Sequence, residues 1–418
     1  LSTFLKLGTI LALALGVFLI LPDLQMPALT PFIDGSGPVI PGKLFPFCFI
    51  TIACGAISGF HALISSGTTP KLIAKESQAR FVGYGGMMTE SFVAIMALLA
   101  ACTLSPGVYF AMNAPPAVAG TTPAAVVQTV SGWGYPVTEG EMSELASAVG
   151  EKTLYARTGG APTFALGLTH LMGRLTGSWA LALLYHFAIM FEALFILTTL
   201  DAGTRVGRFL LQDLLGHLWP PLGRVSWPPS VVFTSALMVG AWGWFLWGGV
   251  HDPNGGINSL WPLFGIANQT LAVIALCVGT TILFKMGRGR LAWVTGLPLL
   301  ALLVTTQVAT WEKVFHASPR IGFMAQARAL QDKLPSITDP LLAGQTAHQI
   351  FNSLLDAFMA SAFAIIVWIV FVDALRVCWL FRRSGGSRYP LAEAPTVASK
   401  LSVKSETDLH PHASEMAV

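Results

Sequence analysis

Residues 46–70 read PFCFITIACGAISGFHALISSGTTP, a membrane-length apolar segment that carries a histidine and ends in small hydroxyl residues. Wound as an α-helix, it places Cys54, Ser58, His61 and Ser65 at i, i+4, i+7 and i+11. That is one polar stripe on a helix whose other faces (Phe49, Ile52, Ile57, Phe60, Leu63, Ile64) are apolar. An ionisable side chain inside a span is costly, and it faces a partner, a cavity or a substrate path. The run Ser65-Ser66-Gly67-Thr68-Thr69-Pro70 reads as the end of one helix and the start of another, with Thr69 capping a helix whose first residue is Pro70. Free N–H groups at such a start bind carboxylates and phosphates. Ser58, His61, Ser65, Ser66, Gly67, Thr68 and Thr69 are therefore candidates to meet an anionic substrate, with a turn and routine capping as the structural alternative.

Two carboxyl groups sit in other apolar runs. Glu90 lies ten residues into the run 81–104, which is about 15 Å along a helix and close to the bilayer middle. Gly83 and Gly86 precede it on the same face, so a neighbouring backbone can approach and Glu90 is expected to face protein rather than lipid. A carboxyl group in that position suits reversible protonation; the alternative is a protonated Glu that hydrogen-bonds two helices together. Glu192, with Thr199 seven residues on, is a second candidate proton site, while His186 points to another side and reads as a packing residue. The run WPLFGIANQ (261–269) puts Asn268 and Gln269 after a glycine inside a span. They imply interhelical hydrogen bonds or an interrupted helix lining a cavity, so both join the candidate substrate-binding residues. Asp373 and Arg376, at i and i+3, are expected to form an ion pair.

These groups need helices to hold them. Hydrophobic residues make up 54% of the 418 and charged ones 11%, which reads as an all-α polytopic membrane helix bundle. Hydropathy predicts about eight transmembrane helices, near 3–21, 46–67, 81–104, 178–200, 230–250, 261–286, 291–311 and 356–382. If the spans alternate, Lys71, Lys75, Arg80, Arg205, Arg208, Arg224, Arg288, Arg290, Arg382 and Arg383 all fall on one side, which the positive-inside rule makes cytoplasmic, with the C-terminus. Residues 1–383 then form the membrane domain, with external loops at 105–177 and 312–355, and 384–418 form a polar, disordered tail. Thr138 and Glu141 form a capping box that starts one surface helix in the first loop, and 162–176 is apolar but too short to span. IGFMAQARALQDK (321–333) is an amphipathic helix in the second loop, and FLLQDLLGHLW (209–219) an interfacial helix stopped by Pro220 and Pro221.

Several chemistries are missing from the chain. It contains no HExxH, GxSxG, Walker A or CxxC motif, and no span with two histidines on one face for a haem. Its five cysteines read as packing residues, so neither a metal nor another cofactor is expected. An intramembrane enzyme lacks a nucleophile–base set here, and a net charge of +3 with scattered basic residues gives no nucleic-acid surface.

The stretch FPFCFITIACGAISGFHALISSGTTPKLIAKESQARFVGYGGMMTESFVAIMAL (45–98) resembles the signature region of the carbon starvation protein A family. LTTLDAGTRVGRFLLQDLLG (197–216) and LWPLFGIANQTLA (260–272) resemble two further blocks in the same order. The resemblance implies an inner-membrane transporter made when carbon is scarce, taking up peptides in some members and pyruvate in others. It also implies the amino acid–polyamine–organocation type of fold, with inverted repeats and broken helices. Members carry further spans before the position of Leu1, so the chain is expected to be an N-terminal truncation. The resulting expectation is secondary uptake of a peptide or pyruvate-like carboxylate, with proton coupling read from Glu90, Glu192 and His61. The lipid bilayer and protons are then its partners besides substrate. A membrane nutrient sensor or non-transporting subunit is the alternative.

Overall fold

A computed structural model describes residues 2–40, 42–75, 77–251 and 257–383; the tail expected to be disordered lies outside them. Among the described residues there is no strand. The helices are α1 (Ser2–Ile20), α2 (Phe49–Ala56), α3 (Gly59–Gly67), α4 (Thr69–Leu72), α5 (Gln78–Cys102), α6 (Pro106–Asn113), α7 (Pro116–Ala119) and α8 (Pro123–Gly132). They continue as α9 (Glu139–Ala148), α10 (Gly160–Thr176), α11 (Leu181–Leu218), α12 (Pro228–His251), α13 (Ile257–Lys285), α14 (Ala292–Phe315), α15 (Phe323–Lys333) and α16 (Pro340–Arg383). By length and composition, seven described segments can cross a bilayer: Leu44–Gly67, Gln78–Cys102, Ser178–Leu218, Pro228–Gly248, Leu263–Lys285, Gly289–Phe315 and Pro340–Arg383. The expected first span is α1, whose apolar part Leu7–Ile20 is shorter. The chain is a polytopic membrane helix bundle.

Two packed groups divide the bundle. In one, α1, α5 and α11 surround α10, with α6–α9 folded over them around buried Phe110, Met112, Val130, Met142 and Leu171. Gly167 of α10 lies so close to the Ala100 backbone of α5 that an added Cβ would collide with it. Small residues allow this separation, and dispersion between backbones holds it where lipid supplies no hydrophobic drive. In the other group α13, α14 and α16 pack together with α2, around Val273, Cys277, Leu302 and Val367. Helix α3 touches both groups, resting on α13 and on α11.

Several expectations from sequence are corrected here. The segment 105–177 is not a loop with one surface helix but five helices. Pro106, Pro116 and Pro123 start three of them, at helix positions where no N–H is needed. The oxygens of Ser105 and Thr122 accept from the backbone N–H of Val108 and Ala125 at two of these starts. Of the expected capping box one half is present: Thr138 Oγ1 accepts from Glu141 N–H at 3.1 Å. The apolar stretch 162–176 belongs to α10 and is packed inside the first group. Residues 209–219 are not a separate helix: α11 runs unbroken from Leu181 to Leu218, because no proline interrupts it before Pro220. Helix α16 starts at Pro340, well before the expected 356, and the amphipathic stretch is α15. Asp373 and Arg376 form no ion pair.

Candidate functional site

The polar stripe of residues 46–67 does not lie on one helix. Helix α2 ends at Ala56 and α3 begins at Gly59; between them Ile57 (φ −140°, ψ 87°) and Ser58 (φ −93°, ψ 131°) are extended. Such a break frees backbone groups that an unbroken helix would pair internally, and inside a membrane they must find partners in protein or in a wet cavity. Asn268 of α13 supplies them. Its Oδ1 accepts the Phe60 N–H at 2.8 Å and the Ser58 hydroxyl at 3.3 Å, and its Nδ2 donates to Cys54 Sγ at 3.2 Å. One amide therefore pins both halves of the broken helix. Gly59 makes this approach possible: a Cβ there would collide with Asn268 O and Leu271 Cβ. Of the two readings of the Asn268-Gln269 amides, the interhelical hydrogen bond is the one realised for Asn268. Helix α13 is continuous, and the interruption lies in its neighbour.

Beyond the break, His61 and Glu90 come together. His61 Nε2 lies 3.5 Å from Glu90 Oε2, across a cleft between α3 and α5, with side chains 60% and 52% exposed. The two residues are held by different helices, so no local spacing could have paired them. The cleft encloses about 1020 Å³ and is lined also by Ser58, Ser65, Thr69 and Ser91. Its walls are otherwise apolar, from Ile52, Ile64, Val82 and Ile95. The pair can hold one proton on the imidazole as an ion pair and accept a second on the carboxyl. Gly83 and Gly86 do not receive a neighbouring helix as expected: both line the cleft, and a Cβ at either would meet nothing within 4 Å.

The remaining candidates are distributed differently. Ser65 and Ser66 donate their hydroxyls to Ala62 O, and Thr68 and Thr69 donate theirs to Ile64 O. The run thus spends its donors on its own helix and offers lone pairs, not O–H groups, to the cleft. Thr69 does not cap α4 with its side chain; Thr68 holds the cap position without a side-chain bond. Ser66 and Gly67 face a separate cavity of about 260 Å³ against Val206, Gln212 and Asp213 of α11. Gln269 is fully buried, and neither end of its amide has a partner; nor do the buried hydroxyls of Thr270 and Thr306. Glu192 is half-buried on α11 and does not line the cleft.

Sequence reading missed the break itself and the glycines Gly55 and Gly59 that bracket it; two glycines four apart inside an apolar run were the available signal. It also gave no role to Asp356, which it placed at a span boundary.

A family model described as carbon starvation protein CstA matches residues 1–309. The chain belongs to that family. It is 53% identical over 384 residues to the peptide transporter CstA of Escherichia coli (strain K12), covering 90% of this chain and 55% of that protein. It is 47% identical over 414 residues to the pyruvate/proton symporter BtsT of the same organism, covering 93% and 58%. With the peptide transporter CstA of Helicobacter pylori (strain ATCC 700392 / 26695) it shares 45% over 403 residues, 95% and 59%. The chain therefore spans somewhat more than half the length of these curated family members. No solved structure matches it. The family match covers the broken helix, the cleft and Asn268 together.

Proposed function

We propose that this chain carries the substrate cleft of a proton-coupled uptake transporter for peptides or pyruvate-like carboxylates, in a bacterial inner membrane. The observation that carries the reading is the His61–Glu90 pair, 3.5 Å apart in an apolar-walled cleft beside a broken helix. A pair of titratable groups open to a cleft can load a proton with substrate and release both together. His61, when protonated, offers a positive charge to a substrate carboxylate. No acceptor among the described residues is found for the backbone N–H of His61, in the first turn of α3. Ser58, Ser65 and Thr69 would line the path, Asn268 would hold the break, and Glu90 would carry the coupled proton. Glu192 would be a second proton site away from the cleft. The names of the E. coli relatives support both substrate classes, and that of the symporter supports the proton. The broken helix supports the amino acid–polyamine–organocation type of architecture, in which unwound segments line the substrate site.

The basic connections support a cytoplasmic C-terminus, with the segments 105–177 and 312–355 outside, in a membrane domain that would comprise 1–383. The test is uptake of radiolabelled peptides and of pyruvate into proteoliposomes, with and without an inward proton gradient. Gradient-driven accumulation of either is expected in the wild type. Glu90→Gln should lose accumulation while keeping exchange of substrate across the membrane. Binding without any vectorial movement would instead favour a sensor or non-transporting subunit.

A further inference from the structure

Among the described residues, Asp356 is the only acidic side chain in the buried class, at 4% exposure. It sits on α16 next to Ala357 and one turn before Ala360, which pack in a small core with Leu263, Val314 and Phe323. It makes no hydrogen bond and no ion pair, although a bare carboxylate in such a place costs several kcal/mol. Lys313 of α14 borders the same core, next to Val314 in sequence and over the ring of Phe323. The Lys313 ammonium is not in contact with Asp356; it lies over two aromatic rings, 5.4 Å from the Phe47 centroid and 5.7 Å from that of Phe323.

The other ionisable groups of the packed elements are engaged or distant. Glu312 and His316 of α14 pair with each other at 3.7 Å. Arg328, Asp332 and Lys333 of α15 are exposed, and the only charged residue in α13 is Lys285, at its far end. An ionised Asp356 would be locked by a direct salt bridge, and a protonated one by an acceptor for its O–H. Neither is present, so neither state is fixed by contact, and burial and the nearby cation pull in opposite directions. Phe47, under that cation, belongs to the turn Leu44–Cys48 that leads into α2.

We propose that Asp356 is a further proton-binding group, separate from the His61–Glu90 cleft and from Glu192, and read out through Lys313 beside the turn that leads into the broken helix. Protonation removes the negative charge that Asp356 sets against Lys313, and the ammonium keeps the Phe47 and Phe323 faces. A proton on Asp356 would thus act on the α2 half of the broken helix, and one at His61–Glu90 on the α3 half. Its use in transport rests on the proton-coupled reading above; its existence does not.

The experiment is infrared difference spectroscopy of the purified wild-type protein labelled with ¹³C at the aspartate side-chain carboxyl, titrated against pH. One aspartate should titrate separately from the exposed ones. Lys313→Met should move that transition to higher pH, because the cation no longer favours the carboxylate, while Lys313→Arg leaves it nearly in place. Asp356→Asn should abolish it, and Glu90→Gln should leave it untouched. Since the wild-type spectrum and the Lys313 variants suffice, the outcome does not depend on Asp356→Asn folding. The absence of any separately titrating aspartate, with Asp356 charged or neutral throughout, overturns the proposal. So does a transition indifferent to Lys313→Met. Loss of uptake without a spectral change, or the reverse, separates failure of the transport reading from failure of this one.

Discussion

Replacing Asn268 by Ala tests whether one amide holds the broken helix together. The substitution leaves the Phe60 N–H without its 2.8 Å partner and removes the longer contacts to Ser58 and Cys54. A buried donor left unsatisfied costs about 1–3 kcal/mol, and the 3.3 Å hydroxyl contact and the sulfur contact add little. The expected loss is about 2 kcal/mol, or roughly 30-fold in the ratio of closed to open break. Hydrogen–deuterium exchange followed by mass spectrometry, in nanodiscs, reads that ratio at Phe60, because exchange follows the population of the open form. Exchange in peptides covering Phe60 should accelerate roughly 30-fold in Asn268→Ala, against a reference peptide from Leu299–Leu303 in α14 that stays protected. Ser58→Ala removes only the long contact, about 0.5 kcal/mol, and should change the rate by less than about threefold. If the Phe60 amide of folded Asn268→Ala exchanges at the wild-type rate, the pinning account is wrong.

His61→Ala should weaken binding of substrate while leaving thermal stability nearly unchanged, and added substrate should protect a cysteine placed at Ser65 from small thiol reagents. Lower stability with unchanged affinity would return the stripe to packing. Gly167→Ala forces a Cβ into the Ala100 backbone and should cost about 1–3 kcal/mol, seen as a lower unfolding temperature. Gly83→Ala, whose Cβ would meet nothing, should cost under about 0.5 kcal/mol in the same assay. A cysteine placed at Ser77, in a background without native cysteines, should resist an impermeant reagent added outside; labelling there would invert the proposed orientation.

Hydropathy located the long helices because a bilayer demands about 20 apolar residues and leaves the chain few other ways to satisfy its backbone. The helix starts at Thr138 and the amphipathic run 323–333 were legible for equally local reasons: a hydroxyl three residues before an acidic N3, and a 3.6-residue apolar period. The break at Ile57–Ser58 was not, since what stabilises it, Asn268, is 208 residues from its main partner Phe60. The stripe is not one continuous face: Ser58, His61 and Ser65 line the cleft, while Cys54 meets Asn268. Glu90 and His61 were each singled out, but their meeting depends on how α3 and α5 are set beside one another, which no spacing encodes. Pro106, Pro116 and Pro123 lie in a segment expected to be a loop, yet they occupy the first turn of helices, where a missing N–H carries no penalty. Asp356 was overlooked because a lone acid at the edge of an apolar run resembles a boundary residue until its burial is known.

Helix α11 has 38 residues and is about 57 Å long, nearly twice the thickness of a hydrocarbon core. Even a tilt of about 40° leaves it some 44 Å tall, so leaning cannot bring its whole length within the oil. Its apolar half ends where Asp201 and Arg205 pair at 2.8 Å, and the remainder carries Arg208, Asp213 and His217. The charged turns of this helix therefore continue, without a hinge, from the buried turns around Tyr185 and Phe191, and a part of it at least as long as the excess must stand outside the hydrocarbon.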